Sequence, residues 1–169
     1  MLERFVPTQA VEHVHQIDLA ALKSQGIRHI LLDLDNTITP WRSTDVPEAT
    51  AAWIEAARRD FRVCIVSNTT KLKRLGALRE KLGIECLGFA NKPWGVARAL
   101  RKLGIAREET VIVGDQLMTD VFGAHLAGIR SILVKPVSPS EFFATYFLRA
   151  IERVLFGMLK RRGMFERPW

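Results

Sequence analysis

Five short apolar runs, separated by stretches of helical pattern, constrain this chain more than any other feature. They fall at 28–34, 61–66, 84–89, 110–113 and 130–134, and small polar or acidic residues or a proline follow most of them. Runs rich in Val, Ile and Leu read as strands buried on both faces. Between them, helices are expected over 47–59, 71–82, 94–103 and from about 120 to 127. Pro47 suits a first turn, and Gly83, Gly104 and Gly128 suit the stops. Strand–helix alternation predicts an α/β, Rossmann-like three-layer sandwich around a parallel sheet of about five strands. Ahead of it, residues 1–27 read as an irregular lead-in and a short helix, 18–24, capped by Asp18 and stopped by Gly26.

The first of these runs leads to two carboxylates, Asp33 and Asp35, followed by Asn36 and Thr37. Strand side chains alternate, so both carboxylates leave the strand end toward the same side. Like charges that close repel unless a cation sits between them, and a hard divalent ion with oxygen ligands fits. The plainer reading is an Asx turn in which Asp35 or Asn36 bonds its own backbone. Both readings stand on this stretch alone.

Length and composition set the frame: 169 residues, 48% hydrophobic and 25% charged, with no low-complexity tract. One domain with a sizeable core is expected. Cys64 and Cys86 lie in β-like runs and read as buried, reduced thiols. The start lacks the basic-then-apolar order of a secretory signal, and no run approaches the ~20 apolar residues of a membrane span. A cytoplasmic protein is expected, with peripheral contact to a membrane left open. The net charge of +7 and pI near 9.9 favour anionic partners, whether phosphorylated substrates, acidic lipid or nucleic acid.

Other strand ends repeat the pattern of the first. Ser67-Asn68 follows the second strand, Gly114-Asp115 with Asp120 follows the fourth, and Lys92 comes shortly after the third. In parallel sheets ligands gather at the carboxyl ends of strands. The residue types suit phosphoryl transfer through a carboxylate. A second carboxylate can move the proton, and Mg2+ held by Asp33 and Asp115 would offset repulsion between nucleophile and phosphate. Ser67 and neighbouring N–H groups can bond phosphate oxygens, and Lys92 can meet charge in the transition state.

In these four places the chain resembles the haloacid dehalogenase superfamily, over roughly residues 28–134. The resemblance implies Asp33 as nucleophile and Asp35 as general acid/base. It also implies Mg2+ held by the Asp33 carboxylate, the Asp35 main-chain carbonyl and Asp115, with Asp120 as a second acidic residue acting indirectly or orienting Lys92. Ser67, Asn68 and Lys92 form its phosphate-binding set, although Asn36, Thr37 and Asn68 first read as loop-shaping residues. An aspartate at position 35 points to phosphate-ester hydrolysis among the superfamily's chemistries. Only 34 residues separate Asp33 from Ser67 and 25 separate Ser67 from Lys92, so no cap domain is expected. An open site suits a bulky phosphorylated partner. Trp41, in the flap after the first strand, reads equally as a substrate contact or as packing.

The tail forms a second unit, 140–169, after a core of 1–139. Ser140 and Glu141 suit a helix start. Phe142, Phe143, Tyr146, Phe147, Ile151, Val154, Leu155, Met158 and Leu159 form an apolar arc beside Arg149, Arg153, Lys160, Arg161 and Arg162. This long C-terminal helix reads as packing on the core, or as lying over residues 142–162 on an anionic bilayer surface. Within the superfamily the wording of the motifs is similar to the small, capless YqeG-like group, related to phosphatidylglycerophosphate phosphatases. The preferred expectation is a Mg2+-dependent phosphomonoesterase acting on phosphatidylglycerophosphate at a membrane. The alternatives are the same chemistry on a soluble sugar phosphate, nucleotide or phosphoprotein, and a non-catalytic phosphate- or nucleic-acid-binding module. Oligomeric state is not legible.

Overall fold

A computed structural model describes residues 1–138 and 143–169, with the backbone alone over 143–149. Ser140, Glu141 and Phe142, and the side chains of Phe143, Tyr146, Phe147 and Arg149, therefore lie outside the described residues.

The strands are β1 (Gln9–Val11), β2 (His29–Leu32), β3 (Arg62–Val66), β4 (Glu85–Leu87), β5 (Thr110–Gly114) and β6 (Arg130–Val134). They form one parallel sheet in the order β1-β6-β5-β2-β3-β4. The sheet therefore has six strands rather than about five. The added one is β1, which pairs Gln9, Ala10 and Val11 with Ile132, Leu133 and Val134 along the edge of β6.

The helices are α1 (Leu19–Ser24), α2 (Glu48–Ala57), α3 (Leu72–Leu82), α4 (Val96–Leu103), α5 (Phe122–Ala127) and α6 (Phe143–Arg161). Asp18 caps α1 by accepting from the Ala21 N–H at 3.0 Å. Gly83, Gly104 and Gly128 take left-handed conformations at the ends of α3, α4 and α5, where a Cβ would be strained.

Strand alternation sorts the core into layers. Ile30 and Leu32 face Trp53, Ile54, Leu75 and Leu78 of α2 and α3. Leu31, Cys64 and Ile112 face Val96, Leu100, Ala124 and Ala127 of α4 and α5. A smaller cluster joins Leu133 to Leu2, Leu117, Val121 and Leu159, so that α6 packs on the α5 side of the sheet. Glu152, Leu155 and Leu159 turn toward the core, while Val154 and Met158 stay exposed. Along its described side chains, α6 thus has the core-packing role. Among the described residues no helix is long and apolar enough to cross a membrane.

The order also positions the site. From β2 the chain continues to β3 on one side, while β5 returns to lie on the other side of β2. That reversal makes a crevice at the carboxyl ends of β2 and β5. Among the described residues, only a flap and α2 separate β2 from β3, so no second domain covers it.

Candidate active site

At the end of β2, the Asp33 N–H donates to the Val113 carbonyl at 2.8 Å, which carries the ladder one residue past the strand. The chain then reverses through Asn36, whose φ is 63°, and the Asn36 N–H donates to the Thr39 carbonyl at 2.8 Å. This small loop buries Leu34 and Ile38 and leaves Asp33 and Asp35 lining one cavity of about 460 Å³. Ser67, Asn68, Lys92, Gln116 and Thr119 line it too.

Lys92 is the centre of the buried charge. Its ammonium bonds the Asp33 carboxylate and, at 2.7 Å, the Asp120 carboxylate. The Thr37 hydroxyl lies 3.3 Å from both Asp33 Oδ2 and Asp115 Oδ1, so it can donate to either. All four charged groups are buried. Burial pulls the Lys92 ammonium down, yet Asp120 and Asp33 outweigh it and hold it above its ordinary value. Burial pushes the Asp33 carboxyl up, against Lys92, with Asp120 adding to the rise. Three carboxylates against one ammonium leave two formal negative charges in this pocket.

That imbalance decides the fit of a divalent cation. Asp33, Asp115 and Asp120 each offer an oxygen within 4.8 Å of the others. Hard oxygen donors and a −2 deficit suit Mg2+. Lys92 occupies one oxygen of Asp33 and one of Asp120, which leaves Asp33 Oδ2 and Asp115 as the better pair and makes Asp120 chiefly the anchor of Lys92.

Loops around the cluster are interlocked. Asn68 Oδ1 accepts from the Lys92 N–H at 2.7 Å and Asn68 Nδ2 donates to the Lys92 carbonyl at 3.3 Å. Its amide therefore braces the Lys92 segment beside the cavity. The Ser67 hydroxyl accepts from the Thr69 N–H at 3.2 Å. After β5, the chain winds through a π turn, Leu117–Val121, before α5 begins. There the Gln116 N–H donates to Asp120 Oδ2 at 3.2 Å, and the Met118 N–H donates to the buried Glu152 carboxylate of α6 at 3.2 Å.

Asp35 stands apart from the lysine cluster. Arg74 Nη1 donates to its two oxygens at 2.8 and 3.0 Å, and the Arg42 N–H donates to Oδ1 at 2.9 Å. Arg74 also bonds the Ser43 carbonyl and the Thr39 hydroxyl, and so fastens the flap to α3. Trp41 lines the cavity, with the Arg42 guanidinium 4.2 Å over its ring.

The structure thus brings Asp33, Asp35, Ser67, Asn68, Lys92, Asp115 and Asp120 to one edge of the sheet. Sequence reasoning missed Arg74, Glu152 and the bridging place of Thr37. Only Arg74 had a signal, a basic residue in a helix following a strand end.

A parallel sheet with acidic residues at the ends of its two central strands and a buried lysine between them has the architecture of haloacid dehalogenase-type hydrolases. Residues 91–136 match the HAD-hydrolase-like family model. The chain is 37% identical over 170 residues to the probable phosphatase YqeG of Bacillus subtilis, covering 98% of each. It belongs to the YqeG-like family of HAD-type phosphatases. It is also 28% identical, over 92% of its length, to phosphatidylglycerophosphate phosphatase 1 of Arabidopsis thaliana, of which it spans 47%. Among solved structures, an uncharacterized protein from Listeria monocytogenes serotype 4b shares the fold. Its TM-score is 0.56 at 18% identity, covering 80% of this chain and 99% of that one.

Proposed function

We propose that this phosphatase hydrolyses phosphomonoesters through Asp33, with Mg2+, and that its substrate is phosphatidylglycerophosphate at a membrane surface. The observation that carries the chemistry is the buried meeting of Asp33, Lys92, Asp115 and Asp120 at the cavity that Asp33, Ser67 and Lys92 line. The Asp33 carboxylate attacks phosphorus, the bond to the substrate alcohol breaks, and an aspartyl-phosphate forms. Asp35 gives the departing alkoxide a proton. It then takes one from the water that frees inorganic phosphate and restores Asp33. Lys92 and the Ser67 hydroxyl hold phosphoryl oxygens, Asn68 keeps Lys92 in place, and Arg74 fixes where the Asp35 carboxylate stands. Asp33, Asp115 and the Asp35 carbonyl would hold Mg2+, with Asp120 supporting through Lys92. When bound, the ion would offset repulsion between the anionic nucleophile and the anionic phosphate.

The lipid part rests on similarity to the Arabidopsis enzyme and on the uncapped cavity, which admits a bulky alcohol. The exposed cations Arg153, Lys160, Arg161 and Arg162 on and after α6 add attraction to anionic lipid.

The test is phosphate release from phosphatidylglycerophosphate in mixed vesicles with Mg2+, for wild type and Asp33→Asn. Wild type is expected to release phosphate, to stop with a chelator, and to fall to background with Asn at 33. Equal rates for the two proteins would overturn the nucleophile. Turnover of soluble sugar phosphates or nucleotides, with none of the lipid, would move the substrate to those classes.

A further inference from the structure

Three large apolar side chains stand in water at the edge of the sheet that carries the site: Leu72 is 62% exposed, Phe89 55% and Trp94 74%. They belong to interlocked loops. The Phe89 N–H donates to the Thr69 carbonyl at 3.1 Å. Leu72 closes on Gly88, whose Cβ position would lie 3.7 Å from Leu72 Cδ2. Gly95 folds the Trp94 turn tightly onto the Ala90 carbonyl, and Asn68 ties the first loop to Lys92. The same loops contribute Thr69, Thr70, Lys71 and Lys92 to the cavity lining, and the flap adds Trp41 and Arg42.

Their charge is one-sided. No Asp or Glu occurs in 36–44, 67–79 or 86–107, whereas those segments hold the exposed cations Arg42, Lys71, Lys73, Arg79, Arg98 and Lys102. The first turn of α3 is basic, with no acidic residue, opposite to what the helix dipole favours. Beside Phe89, a cleft of about 250 Å³ is lined by Arg98 and Lys102. Solitary exposed hydrophobes are ordinary, but three of them, one an indole, in loops and a helix start rich in cations and without Asp or Glu have the composition of an interfacial membrane face.

We propose that the loops around the cavity mouth, through Leu72, Phe89 and Trp94 with Lys71 and Lys73, dock on an anionic lipid bilayer and open the site directly onto it. This rests on the lipid-phosphomonoester reading and refines it. The docking face is the mouth, and the exposed face of α6 is secondary. A headgroup phosphate then reaches Lys92 while its acyl chains stay in the bilayer.

Flotation with vesicles of phosphatidylcholine plus phosphatidylglycerol, and with phosphatidylcholine alone, tests the proposal on the full chain. Wild type is expected to float with the anionic vesicles only. Phe89→Ser with Trp94→Ser, and separately Lys71→Glu with Lys73→Glu, are expected to weaken binding at least tenfold. Val154→Ser with Met158→Ser on α6 changes it less than threefold. The ratio of lipid turnover in vesicles to turnover of a soluble aryl phosphate is expected to fall in parallel with binding. Circular dichroism of each variant separates lost docking from lost fold, and Trp94→Phe should reduce quenching of tryptophan emission by brominated lipid, with Trp41 at the mouth supplying the remainder. Three results would overturn the proposal: wild type that stays in solution, loss of binding by the α6 pair alone, or self-association without lipid that the mouth substitutions abolish. Absence of turnover on the soluble phosphate, with flotation intact, would instead count against the phosphatase chemistry.

Discussion

Gly114 closes β5 directly against the Asp120 side chain: a Cβ on Gly114 would stand 2.2 Å from Asp120 Cγ and Oδ2. The limit is space, since Gly114 is not among the residues of positive φ. Gly114→Ala must push aside the carboxylate that anchors Lys92. A misplacement of about 1 Å near the chemistry costs on the order of 10²-fold in rate, and that loss is expected in kcat/KM on an aryl phosphate. Gly76, mid-way in α3 with no atom within 4 Å of its Cβ position, is the control. Gly76→Ala should keep activity and raise stability by about 0.5–1 kcal/mol in urea unfolding.

Asp120→Ala removes one of the two carboxylates that neutralise buried Lys92. The ammonium keeps Asp33, so the loss is that of a buried hydrogen bond between charged groups, about 1.5–3 kcal/mol. Asp120→Asn keeps an oxygen for the ammonium and should lose less. Urea unfolding of the two variants checks the order, and a reversed order would count against Asp120 as the anchor.

Leu159 is wholly buried among Leu117, Val121 and Leu133, next to the π turn that carries Asp120. Leu159→Ala should cost about 2–5 kcal/mol. Val154→Ala, on the exposed side of the same helix, should stay within about 0.5 kcal/mol. Thermal unfolding of both variants measures how firmly α6 supports the site.

His29 on β2 titrates low. Burial lowers it below its ordinary 6.5, more than Glu109, 3.8 Å away, raises it. Below pH 6.5 the unfolded chain therefore binds the proton more readily than the folded one. The contribution of neutral His29 is present above pH 6.5 and is lost as pH falls toward the folded value. Wild type is expected to lose stability faster than His29→Phe between pH 6.5 and 5, and to run parallel to it above 6.5. Denaturation midpoints across that range give the answer.

The strand ends were legible because the runs that become β2, β3 and β5 stop at the chemistry. β2, β3, β5 and β6 lie within the expected segments or one residue beyond, and the acidic and basic residues that follow them converge. Strand β1 was not legible: Gln9–Val11 is too short for a period, and it exists because β6 offers a free edge. The π turn at Leu117–Val121 was hidden too, since an extra residue per turn leaves no hydrophobic signature over five residues. Arg74 read as part of a solvated basic helix. Its hold on Asp35 arises only when the flap folds back over α3, a contact 39 residues apart in sequence. Glu152 is nearly as distant from its partner loop, 34 residues on from Met118, on a helix whose docking face the apolar arc left undecided.

Strand β5 pairs with β2 although β3, α3, β4 and α4 come between them in the chain, and β6 follows it onto its other side. A nascent chain stalled before β5 already holds Asp33, Asp35, Ser67 and Lys92, yet lacks Asp115 and Asp120. On the proposed roles, the set of catalytic and metal-holding groups is completed late in synthesis, once β5 and the π turn after it add Asp115 and Asp120.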